Sequence, residues 1–145
     1  MGIRIGRRMV LFLSFLAVLW GQTVPGGLCS EDAPNAPVGT TLVRSVICEG
    51  ISSFAPFNPA VVFSITLGRI SCFTEFDPVL EETFIYHKWY FRDRLTTRKK
   101  LTLKPPRWAT FSSVQLRQED KGPWRVEIVD SRERLVDVLR FSITD

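Results

Sequence analysis

Histidine is nearly absent from this sequence, since His87 is the only one among 145 residues. A metal site built on several histidines is therefore excluded, and a site around His87 would need cysteine or carboxylate ligands as well. We expect neither a metal nor another cofactor. The favoured interpretation of His87 is a structural residue that makes one or two hydrogen bonds.

The sequence also has little net charge outside its N-terminus. The whole chain has a net charge of +4, but Arg4, Arg7 and Arg8 all lie within its first eight residues. The rest of the chain has 16 basic and 15 acidic residues. A nucleic-acid-binding domain is strongly basic and has a stripe or groove of positive charge. The charge balance therefore predicts that nucleic acid is not the partner.

Only one long apolar run is present, at residues 9–20. As a helix it would span about 18 Å, well short of a bilayer core of about 30 Å. Arginines precede the run and a stretch with Gly and Pro follows it, which is typical of a secretory signal peptide. We predict a signal peptide over residues 1–27, cleaved near Gly26 or Gly27, and a periplasmic or secreted protein. The alternative is an uncleaved leader that tethers the domain to the membrane.

Cysteine is scarce as well, with three residues. Cys29 follows the leader, but Leu28 stands where lipid-modified cysteines have a small residue, so lipidation of Cys29 is the less favoured prediction. We expect membrane contact only through the leader or through that modification. Cys48 and Cys72 lie in predicted strands of an exported domain, where disulfides persist. We predict a disulfide between them, and two buried free thiols are the alternative.

Short runs rich in β-branched and aromatic residues follow a Pro-rich linker at residues 28–39. Turn-forming segments separate them, and no segment keeps a helical period. Apolar and polar residues alternate within the runs, as at Trp124, Val126 and Ile128. The predicted strands are residues 41–48, 61–67, 69–76, 83–91, 95–103, 108–116, 124–129 and 135–144. Residues 40–145 are thus predicted to be all-β, a single immunoglobulin-like β-sandwich of about seven or eight strands.

Three segments form a pattern: HKWY at residues 87–90, PRWATFSS at residues 106–113 and GPWRVEIVD at residues 122–130. With a closing strand that ends in Phe141, they resemble the bacterial family called domain of unknown function 2914, from about Cys48 onward. The chain departs from the family at Ala109 and Val114, where basic residues are usual, and at residues 132–134, where a glycine is usual. The resemblance implies an exported envelope β-domain. It implies no mechanism, because the family has no assigned activity.

Tryptophans and a basic segment are the candidate binding features. Indole faces pack against sugar rings and other ligands, although burial of at least two of the three tryptophans in the domain is the favoured interpretation. The basic segment spans residues 92–107. It either guards an edge strand against pairing or binds phosphate, carboxylate or sulfate groups of an envelope polymer. The candidate binding residues are His87, Trp89, Arg98, Lys99, Lys100, Arg107, Trp108 and Trp124.

The sequence favours a non-enzymatic binding or assembly module of the periplasm or envelope, with an envelope glycan or protein as partner. The alternative is a small hydrolase that uses His87 with a nearby serine or aspartate. Ser112, Ser113 and Asp130 are the residues from which a catalytic triad would be built. A buried His87 without a cleft favours binding, whereas a polar pocket with serine or aspartate within hydrogen-bond reach favours catalysis.

Overall fold

The structure is a computed structural model that describes residues 39–145. The described residues form nine β-strands and two short 3-10 turns. The strands are β1 (Thr40–Ser52), β2 (Ala55–Pro59), β3 (Val62–Ser64), β4 (Arg69–Val79), β5 (Thr83–Phe91), β6 (Arg94–Leu103), β7 (Trp108–Gln115), β8 (Gly122–Asp130) and β9 (Leu135–Thr144). The predicted signal peptide and Cys29 lie outside the described residues. Among the described residues, no helix is long and apolar enough to cross a membrane.

The strands form two sheets that pack on each other as a sandwich. The four-stranded sheet has the order β2-β1-β4-β7, and the five-stranded sheet has the order β3-β9-β8-β5-β6. Neighbouring strands are antiparallel, except that β3 and β9 are parallel. β6 and β7 are therefore edge strands of different sheets, and they lie next to each other along one side of the sandwich. The predicted all-β sandwich is confirmed.

The strand count exceeds the prediction because residues 55–59, which lie between the predicted strands 41–48 and 61–67, form β2. β2 pairs only with β1 and is the outermost strand of its sheet. Such a strand tolerates Pro56 and Pro59, since the hydrogen-bond donors on its free side need no partner strand. This edge strand was not predicted, because its composition is typical of a turn. β5 and β9 have the predicted bounds.

Alternation along the strands sends every second residue into the space between the sheets. On β8, the side chains of Trp124, Val126 and Ile128 are buried, as predicted. On β5, the buried face includes Trp89 and, as its polar exception, His87. The apolar packing thus surrounds a polar side chain and places it at the centre of the sandwich.

Cys48 and Cys72 do not form the predicted disulfide, because both are buried free thiols. β1 and β4 pair so that Cys48 lies opposite Ser71 and Cys72 lies opposite Ile47. Directly opposite residues share a face of a sheet and successive residues alternate, so the two thiols are on opposite faces. Burial raises the pKa of both thiols. The prediction was wrong because the register of β1 and β4 places the two cysteines one position apart, so their side chains point to opposite faces of the sheet.

Thiol labelling checks this register. In a Cys29→Ser variant denatured without reductant, we expect two reactive thiols per chain, because Cys48 and Cys72 are both free. In the folded protein both should react slowly, since a buried thiol with a raised pKa is a poor nucleophile. An absence of reactive thiols after denaturation would contradict the pairing of β1 with β4.

Candidate functional site

A small polar network is buried between the two sheets around His87, whose side chain has no solvent exposure. Its Nδ1 lies 2.8 Å from the Oγ of Ser112, and its Nε2 lies 3.2 Å from the Oγ1 of Thr74. The Nε1–H of Trp89 donates to the same Oγ of Ser112 at 3.0 Å. His87 and Trp89 come from β5, whereas Ser112 comes from β7 and Thr74 from β4. The network therefore joins the two sheets.

The network suits a neutral imidazole. A neutral ring has one N–H donor and one acceptor nitrogen, so in either tautomer one hydroxyl donates to His87 and the other accepts from it. Burial lowers the pKa of His87 from 6.5 to about 3. Within residues 39–145, no carboxylate is hydrogen-bonded to the ring to offset this effect. A group with so low a pKa is a weak general base at neutral pH.

Asp130, the acid of the hypothetical triad, is engaged elsewhere. Its carboxylate accepts hydrogen bonds from the backbone N–H groups of Arg132 and Arg134 at 2.8 and 2.9 Å, and from the Nε of Arg134 at 2.7 Å. Burial by itself raises the pKa of Asp130, but these hydrogen bonds and the guanidinium charge outweigh burial and lower it. Asp130 therefore closes the turn between β8 and β9 and does not orient His87.

Ser113 does not contact His87 either, because it lies on the opposite face of β7 from Ser112. Its Oγ is 2.7 Å from that of Ser71. No Ser-His-Asp triad is therefore formed by the residues that the structure describes. The same residues contain no group of three His, Cys, Asp or Glu side chains that could hold a metal ion.

Two of the three candidate tryptophans are core residues, as the favoured interpretation predicted. Trp89 is fully buried and Trp124 is 6% exposed. The indole of Trp124 stacks on Phe141 with 6.1 Å between the ring centroids, and its Nε1–H donates to the backbone carbonyl of Asp120 at 2.8 Å. Trp108 is half-buried and packs at the edge of the core. Trp108 therefore retains the largest accessible surface of the three.

The basic segment is divided between different surfaces, because successive residues of β6 face opposite ways. Arg98 and Lys100 lie on the outer face of the five-stranded sheet, 3.6 and 4.0 Å from the centroids of two aromatic rings of β5. Lys99 is on the inward face of β6, opposite His87 in the β5 ladder. Arg107 forms an ion pair with Glu75 of the four-stranded sheet. The structure therefore does not gather the predicted basic residues into one patch.

Lys99 lines a groove that runs between the edge strands β6 and β7. Two adjoining cavities of about 460 and 470 Å³ form this groove, and Ser112 lines the first of them. The charged residues along it are Arg69, Lys99, Lys100, Arg117 and Asp120. Sequence reasoning identified Lys99 and Lys100 but missed Arg69 and Arg117. Those two are far away in the sequence, and only the pairing of β4 with β7 brings them to the groove.

The sequence profile of the family described as "Protein of unknown function (DUF2914)" matches residues 82–143. This segment is therefore similar to the DUF2914 family. The predicted resemblance is thereby confirmed. Among solved structures, the chain is similar to "Crystal structure of Se-Met labeled Beta-glucosidase from Kluyveromyces marxianus", with a TM-score of 0.39 and 11% identity. That alignment covers 53% of this chain and 13% of the other. No curated protein matches the chain.

The DUF2914 segment contains most of the candidate site. It contains β5 to β8 and all of β9 except Thr144, and so it supplies His87, Trp89 and Ser112 of the buried network and Lys99 of the groove. Thr74 lies on β4, which precedes the matched segment. The candidate site therefore combines the DUF2914 segment with a strand from the preceding part of the domain.

Proposed function

We propose that this chain is an exported, non-enzymatic binding or assembly module whose groove between β6 and β7 binds an anionic segment of an envelope glycan or protein. The observation that carries the proposal is the charge of the groove, which four basic side chains and one carboxylate line. Phosphate, sulfate and carboxylate groups form strong, charge-assisted hydrogen bonds with such side chains. The signal-peptide pattern of residues 1–27 supports action outside the cytoplasm.

Two features of the groove support an extended ligand. The groove follows two edge strands, and an edge strand has unpaired backbone groups that a bound chain can use. In addition, the side chains of Arg69 and Lys99 form no ion pair within residues 39–145. A bound anion would therefore not have to displace a carboxylate from either of them.

A small hydrolase is the second candidate, and one observation favours it. The Oγ of Ser112 lies 2.8 Å from the Nδ1 of His87, which is the spacing of a nucleophile and its base. Against it, burial holds the pKa of His87 at about 3, and the hydroxyl of Ser112 already accepts a hydrogen bond from Trp89. Binding is therefore the function that the geometry supports better.

Paired substitutions on the two faces of the same region test the proposed groove. The double variant Arg69→Gln/Lys99→Gln removes two charges from the groove, and Lys88→Gln/Arg98→Gln removes two charges from the outer face of the five-stranded sheet, where neither residue lines the groove. With dextran sulfate as the probe, we expect the groove variant of the full chain to bind about tenfold more weakly, since each lost ion pair contributes up to about 1 kcal/mol. Its affinity should also depend less on salt concentration.

Titration calorimetry at several salt concentrations provides the measurement, with uncharged dextran as the control ligand. The Lys88→Gln/Arg98→Gln variant should lose less affinity than the groove variant, because neither residue lines the groove. Equal losses in the two double variants would show that only the total charge matters. That result would reject the groove as the site.

A further inference from the structure

Another cavity opens at the end of the five-stranded sheet where β5 turns into β6. Its volume is about 150 Å³. Its polar lining consists of Tyr90, Arg92, Asp93, Arg125 and Arg140. Because a water molecule takes up about 30 Å³ of liquid, the cavity suits one small chemical group and not a whole polymer. Trp124 lines both this cavity and the groove.

The register of β8 and β9 places two arginines of this cavity directly opposite each other, Arg125 against Arg140. Like charges in directly opposed positions destabilise a sheet. Arg125 is partly neutralised, since its Nε lies 3.0 Å from the Oε1 of Glu127. The side chain of Arg140 has no ion pair or hydrogen bond within the described part of the chain. This pairing therefore leaves one guanidinium at the cavity without a counter-charge.

The turn between β5 and β6 brings the other two charged groups to the cavity. Phe91 pairs with Arg94, so only Arg92 and Asp93 form the turn, and both have positive φ values, 46° and 63°. Two successive positive φ values define the tight turn that matches the twist of a hairpin. The carboxylate of Asp93 forms an ion pair with Arg125, although the Asp93 side chain is 90% exposed. One of the three guanidinium groups at the cavity, that of Arg125, is thus already paired with a carboxylate of the protein itself.

We propose that this cavity binds a carboxylate group of a ligand, held by Arg140 and Arg92, and that Asp93 competes with that ligand for Arg125. The planar fork of a guanidinium matches the two oxygens of a carboxylate. The Asp93 carboxylate, which contacts Arg125 through one oxygen, shows that this site accepts such a group. Binding relieves the repulsion between Arg125 and Arg140. It requires only the release of an exposed ion pair, which is weak in water.

Titration of the full chain with sodium glucuronate tests the proposal, with methyl glucoside as the uncharged control and NMR of the arginine Nε–H groups as the readout. Arg140→Gln should weaken glucuronate binding about tenfold, because it removes a charged hydrogen-bond donor. Asp93→Asn should strengthen binding about two- to fivefold, because it removes the competing charge of a weak surface pair. Arg98→Gln, which removes a charge outside the cavity, should leave the affinity unchanged.

The gain in affinity in Asp93→Asn is the decisive result, since damage to the fold lowers affinity and does not raise it. Unchanged or weaker glucuronate binding by the Asp93→Asn variant would overturn the proposal. So would wild-type glucuronate affinity in the Arg140→Gln variant, provided that this variant unfolds at the same temperature as the wild type. Tighter binding of inorganic phosphate than of glucuronate, with the same dependence on Arg140, would overturn the assignment to a carboxylate. These variants leave the groove intact, so the outcome is independent of the proposed function.

Discussion

Acidification from pH 8 to pH 5 is expected to lower the free energy of unfolding by about 2 kcal/mol through His87 alone. The unfolded chain binds a proton at His87 below pH 6.5, whereas burial holds the pKa of the folded chain at about 3. Between these values the proton binds only to the unfolded state, so acid favours unfolding. His87 therefore stabilises the fold fully above pH 6.5, and that contribution is lost progressively as the pH falls toward 3, at about 1.4 kcal/mol per pH unit.

Urea unfolding at pH 8, 6.5, 5.5 and 5 measures this dependence. The assignment is direct because the chain has one histidine. Hydrogen bonds lower the pKa of Asp130 and of Glu133, and the stability they provide is lost only at lower pH, so the interval above pH 5 isolates His87. A His87→Gln variant should be less stable at pH 8 and show nearly no dependence in this interval. The same slope in that variant would contradict the buried, neutral imidazole.

Replacement of Trp89 by alanine is expected to lower the free energy of unfolding by about 3–5 kcal/mol. The indole is fully buried, packs edge-on against Phe141 at 6.2 Å between centroids, and donates to the Oγ of Ser112. The substitution would leave a cavity between the sheets and deprive Ser112 of a donor. Small domains are stable by only about 5–15 kcal/mol, so this loss is a large fraction of the total stability.

Trp108→Ala is the matched control for that variant. Trp108 is half-buried and packs at the edge of the core, so the same change of side chain should cost clearly less. Trp89→Phe serves where the alanine variant does not fold, because it keeps an aromatic ring of smaller size and removes the N–H, with an expected loss of about 1–3 kcal/mol. Equal losses in the two alanine variants, measured by urea unfolding, would contradict the central position of Trp89.

Local patterns in the sequence predicted the strands and their buried faces well. Alternation at Trp124, Val126 and Ile128 reflects the geometry of a single strand, which needs no knowledge of its neighbours. Register between strands was not predictable in this way. The disulfide failed because Cys48 and Cys72 sit one position out of alignment, and a shift of one residue reverses the face.

The site was predictable only in part for the same reason. His87, Ser112 and Lys99 were all recognised as candidates, but no local signal selects Ser112 over Ser113 as the partner of His87. Thr74 was not recognised, since it comes from a strand of the opposite sheet. The basic segment looked continuous in the sequence, yet the alternation of β6 separates Lys99 from Arg98 and Lys100. Charged residues that are consecutive in the sequence alternate between the two faces of a strand, so only some of them lie on any one surface.

The hydrogen bonds of His87 have a mechanical consequence for the groove. Hydrogen bonds depend on a particular direction and length, whereas apolar contacts are non-directional. The hydrogen bonds from β5 to Ser112 and Thr74 therefore oppose sliding of one sheet over the other. Because β6 is paired with β5 and Ser112 lies on β7, these hydrogen bonds also help to set the distance between β6 and β7, the two walls of the groove. His87 thereby influences the shape of the groove without lining it.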